Sequence, residues 1–293
     1  MKKVLFGLQP SEYEHPEDRA FLEELQSIPA MGAITKTIMD WSYLKWAIVA
    51  LKGSNFRVTK ESCPELFKTI ENTARVLDLD TLPEIYTEWG YFVNAYTTGY
   101  DNSNILVLYS GAVDLMTEDE LRFVAGHEMG HIKSQHVLYH VMAENINEII
   151  SSALLKTGIA LTLMRWYRMS EFTADRTGLL ACQDINIAID AIRKMAGVPS
   201  KYYNVAQRDA FIQQARDFQD STKESIKKLI KNISILGSSH PWTIMRAAEL
   251  LRWYESGEYD SIINKHQAKV CPYCRKNIPN DAQVCPYCGR PLI

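Results

Sequence analysis

One pentapeptide constrains the fold of this chain more than any other feature: His127-Glu128-Met129-Gly130-His131. On an α-helix, residues four apart lie one turn apart on the same face, so His127 and His131 can bind one zinc ion through their imidazole nitrogens. Glu128 lies about 100° further round the helix, where its carboxylate can act as general base on a water molecule that the metal activates. The motif predicts an internal helix that carries a catalytic zinc site, although the same string also occurs as a pair of ordinary core or surface histidines.

The predicted helix has a clear start and an inward face. Thr117 is a good N-cap residue, and Glu120 three positions later completes a capping box, so the helix should begin at Glu118. Leu121 and Val124 share the face of the two histidines. The motif should therefore point towards the interior of the protein.

A catalytic zinc needs a third protein ligand and one open position. Glu171 is the best candidate for that ligand, and Asp175 lies one turn later on the same predicted face. Asp175 would accept a hydrogen bond from one zinc-binding histidine and fix its tautomer. Ala174 is small enough to let two helices approach. Spacing alone also fits a solvated acidic face.

Two further histidines, His136 and His140, follow the motif. Counted at about 100° per residue along a continuing helix, they fall on the face opposite His127. We expect them to be solvent-exposed and to take no part in the zinc site.

The composition is that of a globular protein, with 293 residues, 46% hydrophobic and 23% charged. The net charge of -3 is too balanced for a protein whose whole surface binds nucleic acid. The apolar run at Val4, Leu5 and Phe6 is too short for a secretory signal, so we expect a cytoplasmic protein. The chain also contains no apolar run long enough for a transmembrane segment.

The longest apolar run is Ile149–Met164, and Lys156 interrupts it. We expect a buried helix there. The following Arg165-Trp166-Tyr167-Arg168 is the kind of flank found at membrane interfaces, so peripheral membrane contact stays an alternative.

Two CxxC pairs close the sequence: Cys271 and Cys274, then Cys285 and Cys288. Four thiolates at this spacing predict a zinc ribbon over residues 270–293, with a structural zinc as its folding element. Rubredoxin-like iron is the alternative metal. The basic residues around the pairs leave nucleic-acid binding as a weak alternative for the ribbon. Residues 258–269 are polar and predicted to be a linker.

The remaining pattern favours helices with a few strands. Residues 18–52 predict helices broken near Pro29 and Gly32, and residues 61–78 predict another helix. Two β-rich runs, Ile85–Thr97 and Asn104–Leu108, predict a small antiparallel sheet. The predicted fold class is α+β, mainly helical.

Taken together, these motifs resemble the HtpX and CAAX prenyl protease family of zinc endopeptidases, within the gluzincins. The resemblance covers about residues 15–257. Two further segments match motifs of that family: Asn94-Ala95-Tyr96, and Ser239-His240-Pro241 with Arg246. It implies a zincin-like metallopeptidase domain over residues 1–257.

The resemblance also implies roles for residues outside the zinc motif. His240 would stabilise the oxyanion, and Arg246 would position the site or bind substrate. Asn94, Ala95 and Tyr96 would lie on the edge strand beside the cleft, where an extended substrate can add as a further strand.

The chain departs from the family that it resembles in lacking a convincing transmembrane helix between His131 and Glu171. The substrate expected is therefore a peptide or an unfolded or damaged protein, cut by a zinc-activated water. The alternative function is a latent or chaperone-like protein-binding module that uses the ribbon to recruit partners. The expected cofactors are two zinc ions, one catalytic and one structural.

Overall fold

The computed structural model describes residues 2–29, 31–39, 42–100, 103–145, 153–221, 242–266, 269–279 and 282–292. These residues are mainly helical, with one four-stranded sheet and one two-stranded hairpin. The predicted mainly helical α+β class is confirmed. The helices are α1 (Pro10–Tyr13), α2 (Pro16–Ser27), α3 (Met31–Met39), α4 (Ser42–Ser54), α5 (Pro64–Val76), α6 (Ser110–Leu115), α7 (Glu118–Lys133), α8 (Val137–Glu144), α9 (Ala153–Cys182), α10 (Ile185–Met195), α11 (Val205–Ser221), α12 (Thr243–Glu255) and α13 (Glu258–His266).

The strands are β1 (Phe56–Arg57), β2 (Glu84–Glu88), β3 (Ala95–Tyr100) and β4 (Ser103–Tyr109), in the order β1-β2-β4-β3. The sheet is mixed rather than antiparallel throughout, because β2 and β4 are parallel while the other two pairs are antiparallel. The loop 89–94 divides the predicted run Ile85–Thr97 and reverses the chain. Strand β4 returns between β3 and β2 and so runs in the direction of β2. This leaves β3 at the edge of the sheet.

Helix α7 begins at Glu118, as predicted. The hydroxyl of Thr117 accepts a hydrogen bond from the backbone N–H of Glu120, and the Glu120 carboxylate accepts one from the backbone N–H of Thr117. Buried Lys194 donates a further bond to this carboxylate at 2.8 Å. The start of α7 is therefore anchored to α10.

Helices α7 and α9 pack closely because small residues lie at their crossing. A Cβ on Gly126 would lie 2.4 Å from the Cβ of Ala181, and one on Gly130 would lie 2.8 Å from the Cβ of Thr177. The expected role of Ala174 is confirmed, since its Cα lies 3.2 Å from the same position on Gly130. This crossing sets the distance between the histidines of α7 and the acids of α9.

Helix α9 begins at Ala153, and residues 149–152 of the predicted helix lie outside the described part of the chain. Ile159, Leu163 and Trp166 are buried in a cluster with α2, α3 and α8. Tyr167 is buried as well, so the aromatic residues of the predicted membrane flank lie inside the protein.

None of the helices in the described ranges is long and apolar enough to cross a membrane.

Most of the segment predicted as a linker is helical. Residues Glu258–His266 form α13, and Tyr259 and Ile262 are buried against the main core. His266 donates a hydrogen bond from Nδ1 to the carbonyl of Phe6 at 2.7 Å. Apolar positions three apart give even a short polar segment one buried face, so these residues pack as a helix, and their role as a linker stays a prediction. The domain boundaries themselves stay a prediction.

Candidate metal centre and active site

The three predicted metal ligands converge in the interior. His127 Nε2 and His131 Nε2 are 3.3 Å apart. Glu171 Oε2 lies 3.7 Å from His127 Nε2, and Glu171 Oε1 lies 3.5 Å from His131 Nε2. All three side chains are buried. Two imidazole nitrogens and one carboxylate are a donor set that zinc accepts, and the convergence of buried donors fits a metal ion.

Asp175 lies behind His127. Its Oδ1 is 3.0 Å from His127 Nδ1, and Arg246 donates two hydrogen bonds to the same carboxylate, at 2.6 Å and 2.8 Å. Burial alone would raise the pKa of Asp175, but the guanidinium of Arg246 holds it below its ordinary value. The ionised carboxylate can therefore accept the Nδ1 proton of His127, which leaves Nε2 as a lone-pair donor.

Arg246 also reaches the third ligand, with Nη1 3.5 Å from Glu171 Oε2. Burial would lower the pKa of Arg246, but the charge of Asp175 raises it above the ordinary value. A permanently charged guanidinium therefore joins the carboxylates of Glu171 and Asp175.

His136 occupies the corresponding position behind His131, which corrects the expectation that it is solvent-exposed. The two Nδ1 atoms are 3.1 Å apart, and His136 Nε2 lies 3.2 Å from Asp18 Oδ2. Helix α7 ends at Lys133, and Gln135 has a left-handed backbone (φ 59°). The helical count of about 100° per residue does not apply beyond that turn.

His140 is also buried, contrary to the same expectation. Its Nε2 donates a hydrogen bond to Ser170 Oγ at 2.8 Å, and its ring stacks on Tyr167 with the centroids 4.1 Å apart. His131, His136 and His140 form a second cluster in which the possible ligand atoms lie within 4.8 Å of one another. His131 is therefore shared between two groups of donors.

Glu128 points into the same cleft and is held by the sheet. Thr97 on β3 donates a hydrogen bond from its hydroxyl to Glu128 Oε2 at 2.7 Å. Burial raises the pKa of the Glu128 carboxyl, while the neighbouring His127 lowers it in part. Burial also lowers the pKa of His131 to about 4, which keeps its imidazole neutral and able to bind a metal.

The cleft has a volume of about 650 Å³ and is lined by His127, Glu128, His131 and Glu171. Asn94, Ala95 and Tyr96 line it as well. Ala95 and Tyr96 belong to the edge strand β3, as expected, and Asn94 precedes it. The structure thus places the predicted substrate-binding residues beside the candidate metal ligands.

His240 lies outside the described part of the chain. Its expected role in stabilising the oxyanion stays a prediction, whereas Arg246, from the same resemblance, lies at the site.

The four C-terminal thiols also converge. Cys271 Sγ lies 3.8 Å from Cys288 Sγ, and Cys274 Sγ lies 3.6 Å from Cys285 Sγ. The two CxxC turns have the same backbone pattern, since Cys271 N–H and Cys285 N–H each bond a carbonyl five residues later, at 2.9 Å. Strands β5 (Lys269–Val270) and β6 (Asn277–Ile278) pair antiparallel beside the first turn. Four thiolates in this arrangement can hold one tetrahedral metal ion.

Comparison with known proteins decides the family. Residues 62–254 match the model of peptidase family M48. The chain belongs to peptidase family M48. Residues 270–292 match a zinc-ribbon domain, so the predicted C-terminal ribbon is confirmed.

Related proteins carry names that agree with M48 membership. A plastoglobule-localized chloroplast metallopeptidase 48 from Arabidopsis thaliana is 28% identical over 269 residues, which are 89% of this chain and 78% of that protein. A protease HtpX homolog from Streptococcus gordonii is 27% identical over 44% of this chain and 42% of its own length. One from Sulfurihydrogenibium sp. is 34% identical over 35% of this chain and 34% of its own length.

The matched segments therefore span less than half the length of these two HtpX homologs. No solved structure matches this M48 chain.

Sequence reasoning missed several residues of the site. Thr97 directly follows the predicted substrate-binding segment, and its position on the same strand was the available signal. His136 could be found only by recognising that the helix ends before it. Asp18 comes from α2, more than 100 residues away, and no local pattern links it to the motif.

Proposed function

We propose that this M48 chain is a zinc-dependent metalloendopeptidase that hydrolyses internal peptide bonds of unfolded or damaged proteins. The observation that carries the proposal is the convergence of His127, His131 and Glu171 beside the Glu128 carboxylate in one cleft. His127, His131 and Glu171 would hold the catalytic zinc. When bound, the zinc supplies Lewis acidity, which lowers the pKa of a water molecule and polarises the scissile carbonyl.

Glu128 is the general base in this proposal. It takes the proton of the attacking water and delivers it to the leaving amine. Thr97 holds Oε2 of Glu128, so Oε1 is the oxygen that carries the proton. Because Glu128 is buried, its carboxylate is desolvated and its basicity increases.

Asp175 and Arg246 position His127, and Asp18 and His136 position His131. Each histidine donates its Nδ1 proton to a partner and keeps Nε2 for the metal. Arg246 also balances the negative charge of Glu171. His240 contributes to oxyanion stabilisation on the strength of the family resemblance alone.

The substrate would bind as an added strand beside Ala95 and Tyr96 on the edge of β3, which among the described strands pairs only with β4. Such binding uses mainly backbone hydrogen bonds, so sequence specificity should be loose and unfolded chains should be accepted. The ribbon would hold the second, structural zinc through Cys271, Cys274, Cys285 and Cys288. Cytoplasmic localisation is kept as part of the proposal because these cysteines serve a metal rather than disulfides.

Metal analysis of two variants tests the ligand assignment. Wild type should contain two zinc ions per chain. Glu171→Ala should lose the catalytic zinc only, and the double change Cys271→Ser, Cys274→Ser should lose the ribbon zinc only and still leave a folded peptidase domain. Each variant is the control for the other. Two zinc ions in Glu171→Ala would remove Glu171 from the ligand set.

A further inference from the structure

Three large aromatic side chains project from the loop between β2 and β3. Trp89 is 90% exposed, Tyr91 80% and Phe92 66%. Isolated exposed apolar side chains are normal, but several in one short segment mark a binding surface. We infer that this aromatic loop (residues 89–93) binds apolar side chains of an extended polypeptide substrate. The inference rests on the proposed peptidase function and names the class of substrate that this cleft prefers.

The aromatic loop is continuous with the cleft. Phe92 and Val93 line the same cavity as His127 and Glu128. The ring of Phe92 packs edge-on against Tyr109, another lining residue, with the centroids 5.6 Å apart. A chain bound at the candidate metal ligands would therefore reach the aromatic loop without leaving the cleft surface.

The backbone of the aromatic loop is fixed although its side chains are exposed. Gly90 N–H donates to Ser110 Oγ at 3.2 Å, and Gly111 N–H donates to the carbonyl of Gly90 at 2.9 Å. A Cβ on Gly111 would lie 2.8 Å from the carbonyl oxygen of Phe92, so the loop rests directly on α6. A surface held in place before binding loses little conformational entropy when a ligand arrives.

The direction of β3 indicates which side of the scissile bond meets the aromatic loop. The loop lies at the start of β3, and Thr97, which holds Glu128, lies further along the strand. Antiparallel pairing is the more stable mode of strand addition. A substrate paired in this way brings its residues C-terminal to the scissile bond against Phe92, Tyr91 and Trp89.

Charge favours a polypeptide over a lipid bilayer as the partner. The segment from Glu84 to Asp101 contains no Lys, Arg or His. Glu88 immediately precedes the loop, and Glu144 lines the cleft. Anionic bilayer surfaces attract basic segments, so the acidic residues near the loop disfavour its binding to such a bilayer. Apolar side chains on an uncharged or basic peptide have no such penalty.

Peptide binding to Glu128→Gln tests the inference independently of catalysis. Two fluorescein-labelled decapeptides are compared by anisotropy, identical except that two Phe residues in the C-terminal half of one are Ala in the other. Glu128→Gln should bind the Phe peptide about tenfold more tightly, which corresponds to ~1.4 kcal/mol. Adding Trp89→Ser and Tyr91→Ser should abolish that preference. Adding Trp46→Ser instead should preserve it, because Trp46 is a comparably exposed aromatic residue (72%) that lies on α4, outside the aromatic loop.

Equal affinity for the two peptides, or binding of neither, overturns the inference even if the wild type cuts proteins. Absence of cleavage by wild type with the Phe preference intact would contradict the proposed function instead. A second experiment measures co-sedimentation of the protein with vesicles of phosphatidylcholine and phosphatidylglycerol. Co-sedimentation that depends on Trp89 and Tyr91, without a peptide preference, would assign the aromatic loop to lipid and overturn the inference.

Discussion

His131 and His136 face each other through their Nδ1 atoms, 3.1 Å apart, across the turn that ends α7. Only one proton can lie between two such nitrogens. His136 Nε2 lies 3.2 Å from the Asp18 carboxylate, which accepts its proton. His136 Nδ1 is then the acceptor and His131 Nδ1 the donor, so His131 Nε2 keeps its lone pair towards Glu171.

This relationship predicts different results for two substitutions of His136. Asn has a carbonyl oxygen close to the position of Nδ1 and can still accept the proton of His131, whereas Leu cannot. His136→Leu should weaken catalytic zinc binding by about 10–100-fold, the usual effect of removing such a partner, and His136→Asn should bind zinc nearly as well as wild type. Competition with a chelator at fixed pH measures both. Equal zinc affinity in Leu and Asn variants would contradict the orienting role.

Because α7 and α9 cross closely, we expect any side chain larger than hydrogen at position 130 to lower the stability of the fold. Gly130→Ala places a methyl group 2.7 Å from Thr177 Oγ1. We expect a loss of ~1–3 kcal/mol in the free energy of unfolding, together with weaker zinc binding as Glu171 moves away. Gly53→Ala is the matched control, because a Cβ there meets no atom within 4 Å. Denaturant unfolding compares the two, and similar stabilities would rule out the close crossing as a determinant of the site.

Local patterns in the sequence predicted the parts of this site that lie within single elements. The capping box at Thr117 and Glu120, the histidines of α7 and the acids of α9 each depend on helical spacing, which holds while the helix continues. His136 lies past the end of α7, and its exposure was therefore predicted wrongly.

Contacts between distant elements could not be predicted in this way. The partnership of Asp18 with His136 depends on how α2 packs, and that of Thr97 with Glu128 depends on the sheet register. The parallel pairing of β2 with β4 depends on the loop 89–94, whose sequence does not show which side of the sheet the returning strand takes.

We expect Glu12 to stabilise the folded protein by an amount that depends on pH. Its carboxylate forms an ion pair with Lys265 and lies 2.8 Å from His266 Nε2, and so joins α1 to α13. Burial would raise the pKa of Glu12, but these partners lower it from 4.5 to about 2. A folded-state pKa below the unfolded value means that the stabilisation is complete above about pH 4.5 and is lost as the pH falls towards 2.

Glu12→Gln removes the charge and keeps an oxygen that can accept from the Gln9 N–H. At pH 7 its unfolding free energy should be lower than that of wild type by ~1 kcal/mol or less, since Lys265 is largely exposed and solvent screens the pair. The difference should shrink as the pH is lowered from 4.5 to 2. Thermal unfolding over a pH series measures it, and a gap that stays constant over that range would contradict the assignment.

The two turns of the ribbon carry different residues at one equivalent position, Arg275 in the first and Gly289 in the second. Arg275 and Gly289 have the same left-handed backbone, with φ of 58° and 68°. A side chain in that region costs ~1 kcal/mol, which Gly avoids. Arg275→Gly should therefore slow zinc release from the ribbon to a chelator, and Gly289→Arg should accelerate it. Opposite or equal effects would show that backbone conformation does not limit ribbon stability.

Cleavage of denatured casein by wild type and Glu128→Gln tests the central claim most directly. Glu118→Gln, at the exposed start of the same helix, is the control. Wild type and Glu118→Gln should cut, while Glu128→Gln should keep its zinc and lose about 10²–10⁴-fold in rate because the general base is gone. Casein cleavage by Glu128→Gln at the wild-type rate would contradict the proposed mechanism.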